Sequence, residues 1–270
     1  MMIAVATSMR VLVAGDTHGN LSWITTLCRL ARRHGCDRVL QLGDFGLWPD
    51  LRGGRVRPDP QLDERWISAV ARAAQMHGVS VRFVDGNHDA HPLARAAYDA
   101  EPVTGLRVLR PGVVEWADRG AVWEWAGVRF GALGGAVSTD RQLRTEEWSW
   151  WATETTTTAD LDTLVLRAGG PIDVMVTHDA PAIPPGIQRD ASPELAPACA
   201  GNRAVIAQAV STLMPRMLLH GHYHHGYATV HDGCRVEGFA SDVESRNERL
   251  RSWAILDLPE LTLTEAVELR

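Results

Sequence analysis

The stretch RVLVAGDTHGN, residues 10–20, joins a short apolar run to a polar cluster flanked by glycines. Its first part, residues 10–14, has the length and β-branched content of a buried strand. A helical pattern follows at residues 22–34 and ends before Gly35, which can adopt the left-handed conformation common just after a helix. We therefore expect a strand, a polar loop and a helix in succession.

The same alternation continues through the first half of the chain. Residues 38–42 and 80–84 have the pattern of further strands, and residues 62–77 have that of an amphipathic helix. This βαβαβ order predicts a mainly parallel sheet with right-handed crossovers.

The second half of the chain is richer in strands. Helices are predicted at residues 159–168 and 202–213. Strands are predicted at residues 122–125, 128–133, 173–177, 217–220, 227–231, 234–239 and 253–258. Two mixed β-sheets packed face to face, with helices outside, would bury all these runs. We therefore predict an α/β fold, a four-layer αββα sandwich, in a single domain over residues 1–270.

The composition excludes several kinds of chemistry. Of the 270 residues, 45% are hydrophobic and 22% are charged, and none is lysine. A chain without lysine has no Walker A phosphate loop, no Schiff base and no anchor for pyridoxal phosphate. The net charge of −6 and the scattered arginines disfavour extended nucleic-acid binding but are compatible with a small phosphorylated substrate.

The cysteines and the N-terminal residues bear on location. Cys28, Cys36, Cys199 and Cys234 form no CxxC pair, so we expect reduced, buried thiols in a cytosol-like compartment. The apolar N-terminus lacks a basic region and runs directly into a polar motif, which argues against a cleaved signal peptide. No apolar span of about 18 residues offers a membrane anchor. The sequence therefore predicts a cytoplasmic protein.

Polar clusters come directly after five of the predicted strands. Strand ends in α/β folds present side chains to a cleft. Taken alone, Asp44 is typical of a turn or a helix cap, and His178 is typical of a hydrogen-bonded structural imidazole. The clusters are GDTHGN (15–20), GDFG (43–46), GNHD (86–89), THD (177–179) and GHYH (221–224).

Together the clusters supply a ligand set suited to metal ions. In extended backbone, residues i and i+2 point to one side, so Asp16 can converge with His18, and His222 with His224. The candidate donors are two carboxylates, one amide oxygen and four imidazoles. That number suits two metal ions that share a bridging carboxylate and keep positions open for water or substrate.

In their order and spacing, the five clusters resemble the calcineurin-like metallophosphoesterase superfamily. Its blocks DxH, GD, GNH[DE], a lone His and GHxH are all matched between residues 15 and 224. The resemblance implies an αββα sandwich with a binuclear metal centre. It also implies that one metal takes Asp16, His18 and His224, that the other takes Asn87, His178 and His222, and that Asp44 bridges both.

The resemblance further implies that His88, paired with Asp89, assists the leaving group. A phosphate ester is an anion, and two divalent ions would neutralise its non-bridging oxygens. They would also lower the pKa of a bridging water from about 15.7 toward neutrality, so that the resulting hydroxide attacks phosphorus in line. His88, as an imidazolium held by Asp89, would then protonate the departing oxygen. A role for His88 as a partner of Asp16 or Asp44 is compatible with this one.

The sequence thus predicts a metal-dependent hydrolase that cleaves a phosphomonoester, a phosphodiester or a small nucleotide. A nuclease of the same superfamily and a non-catalytic metal-binding scaffold are the alternatives. The acidic net charge disfavours the nuclease, and the complete ligand set disfavours the scaffold. Imidazole and carboxylate ligands without thiolate suit Mn²⁺, our first choice, and also Fe or Zn²⁺.

Residues 134–158 are expected to form a cap or insertion near the metals. Arg144 is predicted to bind a phosphate there, and a tryptophan of this segment to stack on a base or ring. The alternative is a loop that only packs hydrophobically. The protein phosphatase branch carries Asp-Arg-Gly after its GD block, whereas Arg52 is displaced in GDFGLWPDLRGG. A phosphoprotein phosphatase is therefore not our first choice.

Overall fold

Two β-sheets lie face to face between outer helices. The structure, a computed structural model, describes residues 8–51, 60–187, 192–242 and 251–264, so Arg52 lies outside the described residues. The strands are β1 (Met9–Ala14), β2 (Arg38–Gln41), β3 (Ser80–Phe83), β4 (Leu106–Arg110), β5 (Val114–Ala117), β6 (Val122–Trp125), β7 (Val128–Leu133), β8 (Val174–Thr177), β9 (Met217–His220), β10 (Tyr227–His231), β11 (Cys234–Gly238), β12 (Trp253–Leu258) and β13 (Thr262–Thr264). The α-helices are α1 (Leu21–Arg33), α2 (Glu64–His77), α3 (His91–Ala97), α4 (Thr158–Ala168) and α5 (Ala196–Leu213).

Both sheets are mixed. The first sheet has seven strands in the order β13-β12-β1-β2-β3-β5-β4, and the second has six in the order β10-β11-β9-β8-β7-β6. Strands β1, β2 and β3 pair in parallel, with Val13 opposite Leu40 and Leu40 opposite Arg82. This arrangement confirms the parallel βαβαβ start of the fold. In the second sheet β7, β8, β9 and β11 run parallel, while β6 and β10 are antiparallel edge strands.

Hydrophobic clusters separate the four layers. Along β1, Leu12 faces α1 and α2, while Val11 faces the second sheet, as the alternation of side chains along a strand requires. Along β8, Val174 faces the first sheet, and Met175 packs against α4 and α5. The architecture is therefore the predicted four-layer αββα sandwich.

Some elements differ from the prediction. Helix α5 begins at Ala196 and not at residue 202, because Pro197 occupies the first turn, where a proline needs no amide hydrogen. No element was predicted at α3, β4, β5 or β13. Helix α3 has only seven residues and no side-chain cap, and β13 has only three residues at a sheet edge. Neither element is long enough to give a clear hydrophobic pattern in the sequence. Gly35 adopts the expected positive φ, 72°, just after α1.

The remaining sequence expectations for the fold concern thiols and membranes. All four cysteines are buried, and none forms a disulfide. Burial raises the pKa of the Cys28 thiol to about 12. None of the helices in the described ranges has the length and hydrophobicity needed to span a bilayer.

A buried ion pair joins the two sheets. Asp85 follows β3, Arg119 precedes β6, and their side chains are 0% and 2% exposed. The guanidinium Nε and Nη2 donate to Asp85 Oδ2 at 2.9 and 2.7 Å. The same guanidinium also donates to the carbonyl oxygens of Thr153, Glu154 and Thr155. Arg119 therefore ties both sheets to the segment that precedes α4.

We expect Arg119→Met to lower the free energy of unfolding by about 3–5 kcal/mol, since it leaves the buried Asp85 carboxylate without its cation. Urea denaturation measures this change. Arg10→Met is the matched control, because the Arg10 side chain is 43% exposed and its ion pair with Asp257 is on the surface. The control should cost less than about 1 kcal/mol. Equal losses in the two variants would contradict the assignment.

Candidate metal centre

The five polar clusters meet at the carboxyl ends of parallel strands. GDTHGN, GDFG and GNHD follow β1, β2 and β3 of the first sheet. THD and GHYH lie at the ends of β8 and β9 of the second sheet. Because the sheets pack face to face, the two sets of loops share one edge of the sandwich, as expected for strand ends in α/β folds.

Asp16, His18 and His224 form a first group of potential metal ligands. Their ligand atoms all lie within 4.8 Å of one another. His224 Nε2 lies 3.1 Å from Asp16 Oδ2, and His18 Nε2 lies 3.7 Å from the same oxygen. The two imidazole nitrogens are 3.0 Å apart. The structure therefore brings together the three residues expected at one metal.

A second group comprises Asp16, Asp44 and His178, again within 4.8 Å. His178 Nε2 lies 3.4 Å from Asp44 Oδ2 and 3.2 Å from Asn87 Oδ1. On the other side, His18 Nδ1 lies 3.9 Å from Asp44 Oδ2. The Asp44 carboxylate, a member of the second group, thus also approaches His18 of the first, while Asp16 belongs to both.

His222 occupies the same side as His178. Their ring centroids are 5.1 Å apart, and the backbone N–H of His222 donates to Asp16 Oδ1 at 3.0 Å. His224 instead lies with His18. The extended backbone expected at His222 and His224 is not formed, because their φ angles of 66° and 52° are left-handed.

Positive φ recurs among the candidate ligands. His18 and Asp44 also have positive φ, 45° and 51°, a conformation uncommon for residues other than glycine. Such strain persists only where the surrounding structure imposes it, and it is concentrated at functional sites. Nearby glycines permit the crowding, since a Cβ at Gly86 would overlap Asp44 Oδ1, and a Cβ at Gly221 would overlap Asp16 Oδ1.

The donor atoms suit divalent metal ions. His178 Nδ1 lies 2.7 Å from the carbonyl oxygen of Leu42, a contact that places a proton on Nδ1 and directs Nε2 toward Asp44. Asp16 Oδ2 is buried and has no hydrogen-bond donor aligned with it, although His224 Nε2 is close. Carboxylate, imidazole and amide donors without thiolate match the preferences of Mn²⁺, Fe and Zn²⁺.

Electrostatics favour positive charge at this position. Burial alone would raise the pKa of Asp44, but His88, His178 and His18 hold that pKa well below its usual range. Burial likewise lowers the pKa of His178, yet the two carboxylates Asp44 and Asp16 outweigh it and raise that pKa to about 10. The buried carboxylates therefore remain anionic at neutral pH and attract a cation.

His88 lies at the edge of the two groups. Its Nε2 is 3.8 Å from Asp44 Oδ2, and its backbone N–H donates to Asp44 Oδ1 at 2.8 Å. Burial lowers the pKa of the His88 imidazole, and the negative charge of Asp44 opposes this shift. The structure therefore makes His88 a partner of Asp44, one of the roles expected for it.

Asp89 is turned away from the His88 imidazole, so the expected pairing of these side chains is not formed. Burial and the charge of Asp44 raise the pKa of Asp89 to about 6. Its carboxylate accepts hydrogen bonds of 2.8–3.0 Å from the backbone amides of Phe45, Gly46, Leu47 and Gly86. Asp89 thus links the GNHD loop to the GDFG loop, because one carboxylate can accept hydrogen bonds from several amides.

The 134–158 segment carries Arg144, the residue expected to bind a phosphate. This residue follows a short 3₁₀ helix, Arg141–Leu143, and donates to Asp140 Oδ2 at 2.7 Å. Its charge contributes to the lowered pKa of His88. Elsewhere Trp151 is buried in the core under the first sheet, and the Arg141 guanidinium lies 5.7 Å over the Trp150 ring. The segment therefore packs hydrophobically through Trp151, and the charge of Arg144 acts on His88.

Sequence reasoning missed Ser138 and Glu154. Asn87 Nδ2 donates to Ser138 Oγ at 3.0 Å, and Ser138 Oγ donates to Glu154 Oε2 at 2.5 Å. Burial raises the pKa of Glu154, while the hydrogen bonds from Ser138 lower it. Neither residue lies in a motif, so only the fold brings them to Asn87.

A cavity of about 130 Å³ lies beside His222. One wall is held by Asp179, which accepts hydrogen bonds from the Tyr223 hydroxyl at 2.8 Å and from Asn202 Nδ2 at 2.7 Å. In the sequence, Asp179 belongs to the THD cluster, but no role was predicted for it. The cavity is lined by Val137, Thr139, Asp179, Ile183, Ala196, Cys199, Arg203, His222 and Tyr223.

Solved structures share this architecture at low sequence identity. The protein TT1561 of Thermus thermophilus is 18% identical with a TM-score of 0.58, over 96% of this chain and 98% of that chain. A dimetal phosphatase from Danio rerio is 13% identical with a TM-score of 0.54, over 92% and 91%. GAP50, described as the anchor in the inner membrane complex of Plasmodium, is 10% identical with a TM-score of 0.51, over 93% and 81%. At these identities the likeness shows the fold alone.

A family match connects the fold with the clusters. None of the curated proteins matches the sequence significantly. The sequence model of the calcineurin-like phosphoesterase family, however, matches residues 9–226, which include all candidate ligands from Asp16 to His224. The chain therefore belongs to the calcineurin-like phosphoesterase family.

Proposed function

We propose that this chain hydrolyses a small phosphate ester with the help of two divalent metal ions. The observation that carries the proposal is the position of Asp44, whose Oδ2 lies 3.9 Å from His18 and 3.4 Å from His178. A carboxylate between two groups of donors can bridge two ions. In this proposal Asp16, His18 and His224 hold one ion, Asn87, His178 and His222 hold the other, and Asp44 bridges them.

The chain's own residues position the reaction. When bound, the two cations neutralise phosphate oxygens and lower the pKa of a coordinated water. His88 stands beside Asp44 with its side chain 20% exposed, so it can reach a bound ester. We assign to His88 the transfer of a proton to the departing oxygen. Asp89 supports this step indirectly, because it holds the loop that carries His88.

The surroundings favour a small substrate. In the proposal the 134–158 segment caps the centre, and Arg144 attracts a phosphate close to His88. The cavity beside His222 receives the organic part of the ester, and the Arg203 guanidinium in its lining favours a polar or anionic one. Mn²⁺ remains our first choice of metal, with Fe and Zn²⁺ as alternatives. A cytoplasmic location stays a prediction from the sequence.

We expect the protein loaded with Mn²⁺ to hydrolyse p-nitrophenyl phosphate, bis(p-nitrophenyl) phosphate or both, as measured by release of nitrophenolate. Parallel assays with Fe²⁺ and Zn²⁺ compare the metals, and a metabolite phosphate panel then ranks substrates. A single-stranded DNA substrate tests the nuclease alternative. Two bound metals per chain with no hydrolysis of any ester would contradict the proposal and favour a metal-binding scaffold.

His88→Ala should keep two metals per chain but lower kcat about 10²- to 10⁴-fold, since it removes the proposed proton donor. Metal content by plasma mass spectrometry and steady-state kinetics are the two readouts. His231→Ala is the matched control, because His231 lies on the edge strand β10. A His88→Ala variant with the kcat of the unaltered protein would remove His88 from the mechanism.

Arg144→Ala should raise KM for the phosphate ester several-fold and change kcat much less, because its guanidinium is proposed to bind the substrate and not the reacting atoms. Initial rates over a range of substrate concentrations separate the two parameters. Arg141→Ala provides a control on the same segment, since Arg141 is engaged with Trp150. The cap proposal fails if KM is the same in Arg144→Ala and the unaltered protein.

A further inference from the structure

The hydroxyl of Ser138 connects the Asn87 amide to the Glu154 carboxylate. Asn87 Nδ2 lies 3.0 Å from Ser138 Oγ, which lies 2.5 Å from Glu154 Oε2. The backbone N–H of Ser138 donates to the other oxygen, Glu154 Oε1, at 2.8 Å. Ser138 is fully buried, and Asn87 and Glu154 are each 2% exposed. The contacts therefore form a chain of hydrogen bonds that is shielded from water.

The direction of these hydrogen bonds follows from the chemistry of their ends. A carboxylate only accepts, so the Ser138 hydroxyl hydrogen points to Glu154 and the oxygen lone pair is left for Asn87. Only the NH₂ group of Asn87 can donate to that lone pair. The amide oxygen then points the opposite way, where it lies 3.2 Å from His178 Nε2. The carboxylate of Glu154 thereby selects one of the two orientations of the amide.

We infer that Glu154 is a positioning residue for the metal centre: acting through Ser138, it keeps the oxygen of Asn87, and not its NH₂ group, turned toward His178. This inference rests on the proposed function, in which Asn87 Oδ1 is a metal ligand. An amide oxygen binds a divalent cation, whereas the NH₂ group has no lone pair to offer. The 134–158 segment is thus part of the support of the metal site as well as a cap.

The backbone of Glu154 is also held by the loop that carries Asn87. Its backbone carbonyl accepts a hydrogen bond from Arg119 Nη2 at 2.8 Å. Arg119 is held in turn by Asp85, which stands two positions before Asn87 in the chain. The backbone and the side chain of Glu154 are therefore both tied to the loop that carries Asn87, a rigid arrangement suited to orienting a ligand.

Metal titration of the metal-depleted protein tests the inference. In Glu154→Gln an NH₂ group replaces one acceptor oxygen, so the directional chain is broken. We expect calorimetry with Mn²⁺ to show one of two sites weakened about 10- to 100-fold and the other unchanged. Glu154→Asp keeps an accepting carboxylate and should restore part of the affinity. Glu146→Gln, an exposed glutamate of the same segment, is the matched control and should titrate like the unaltered protein.

A double-mutant cycle separates positioning from general destabilisation. If Glu154 acts through the Asn87 amide, Glu154→Gln should cause no further loss of Mn²⁺ affinity in the Asn87→Ala background. Independent, additive losses in the two variants would overturn the inference, as would unchanged affinity in Glu154→Gln alone. Failure of the proposed function gives a different result, in which the unaltered protein binds fewer than two ions or Asn87→Ala has no effect on either site.

Discussion

Burial of the Asp16 and Asp44 carboxylates, where the two sheets meet, is the constraint on which the rest of the site depends. A buried anion is costly unless donors or cations surround it. The backbone N–H groups of His222 and His88 supply one donor to each carboxylate, and the imidazole of His178 lowers the pKa of both carboxylates. The backbone must approach closely to do so, and glycine at position 86 permits this approach at Asp44.

Three other buried aspartates show how this fold satisfies a carboxylate with hydrogen-bond donors. Asp85 is satisfied by Arg119, Asp89 by backbone amides, and Asp179 by a hydroxyl and two N–H donors. Asp16 differs, because its Oδ2 is buried without an aligned donor. The structural carboxylates therefore hold the loops in place, whereas Asp16 and Asp44 leave acceptor oxygens directed into the space between the imidazoles.

Local patterns were enough to predict the layers and to locate the polar clusters at the strand ends, because both depend on short segments. The buried strands β1, β8 and β9 are short apolar runs that can be identified from a few residues. Each polar cluster directly follows its strand in the sequence. The left-handed backbone at His222 and His224 was not visible, since neither residue type requires it. The partners of Asp89 and the contacts of Glu154 join distant parts of the chain, so they emerged only from the packing of the loops.

The proposed function requires two cations, one on either side of Asp44. Crystals grown with Mn²⁺ and measured at the manganese absorption edge test it most directly, because anomalous scattering locates the metal independently of the protein density. A metal pair bridged by Asp44 should give two peaks separated by about 3.5–4 Å, with the Asp44 carboxylate between them. A single peak, or two peaks without Asp44 between them, would rule out a metal pair bridged by Asp44.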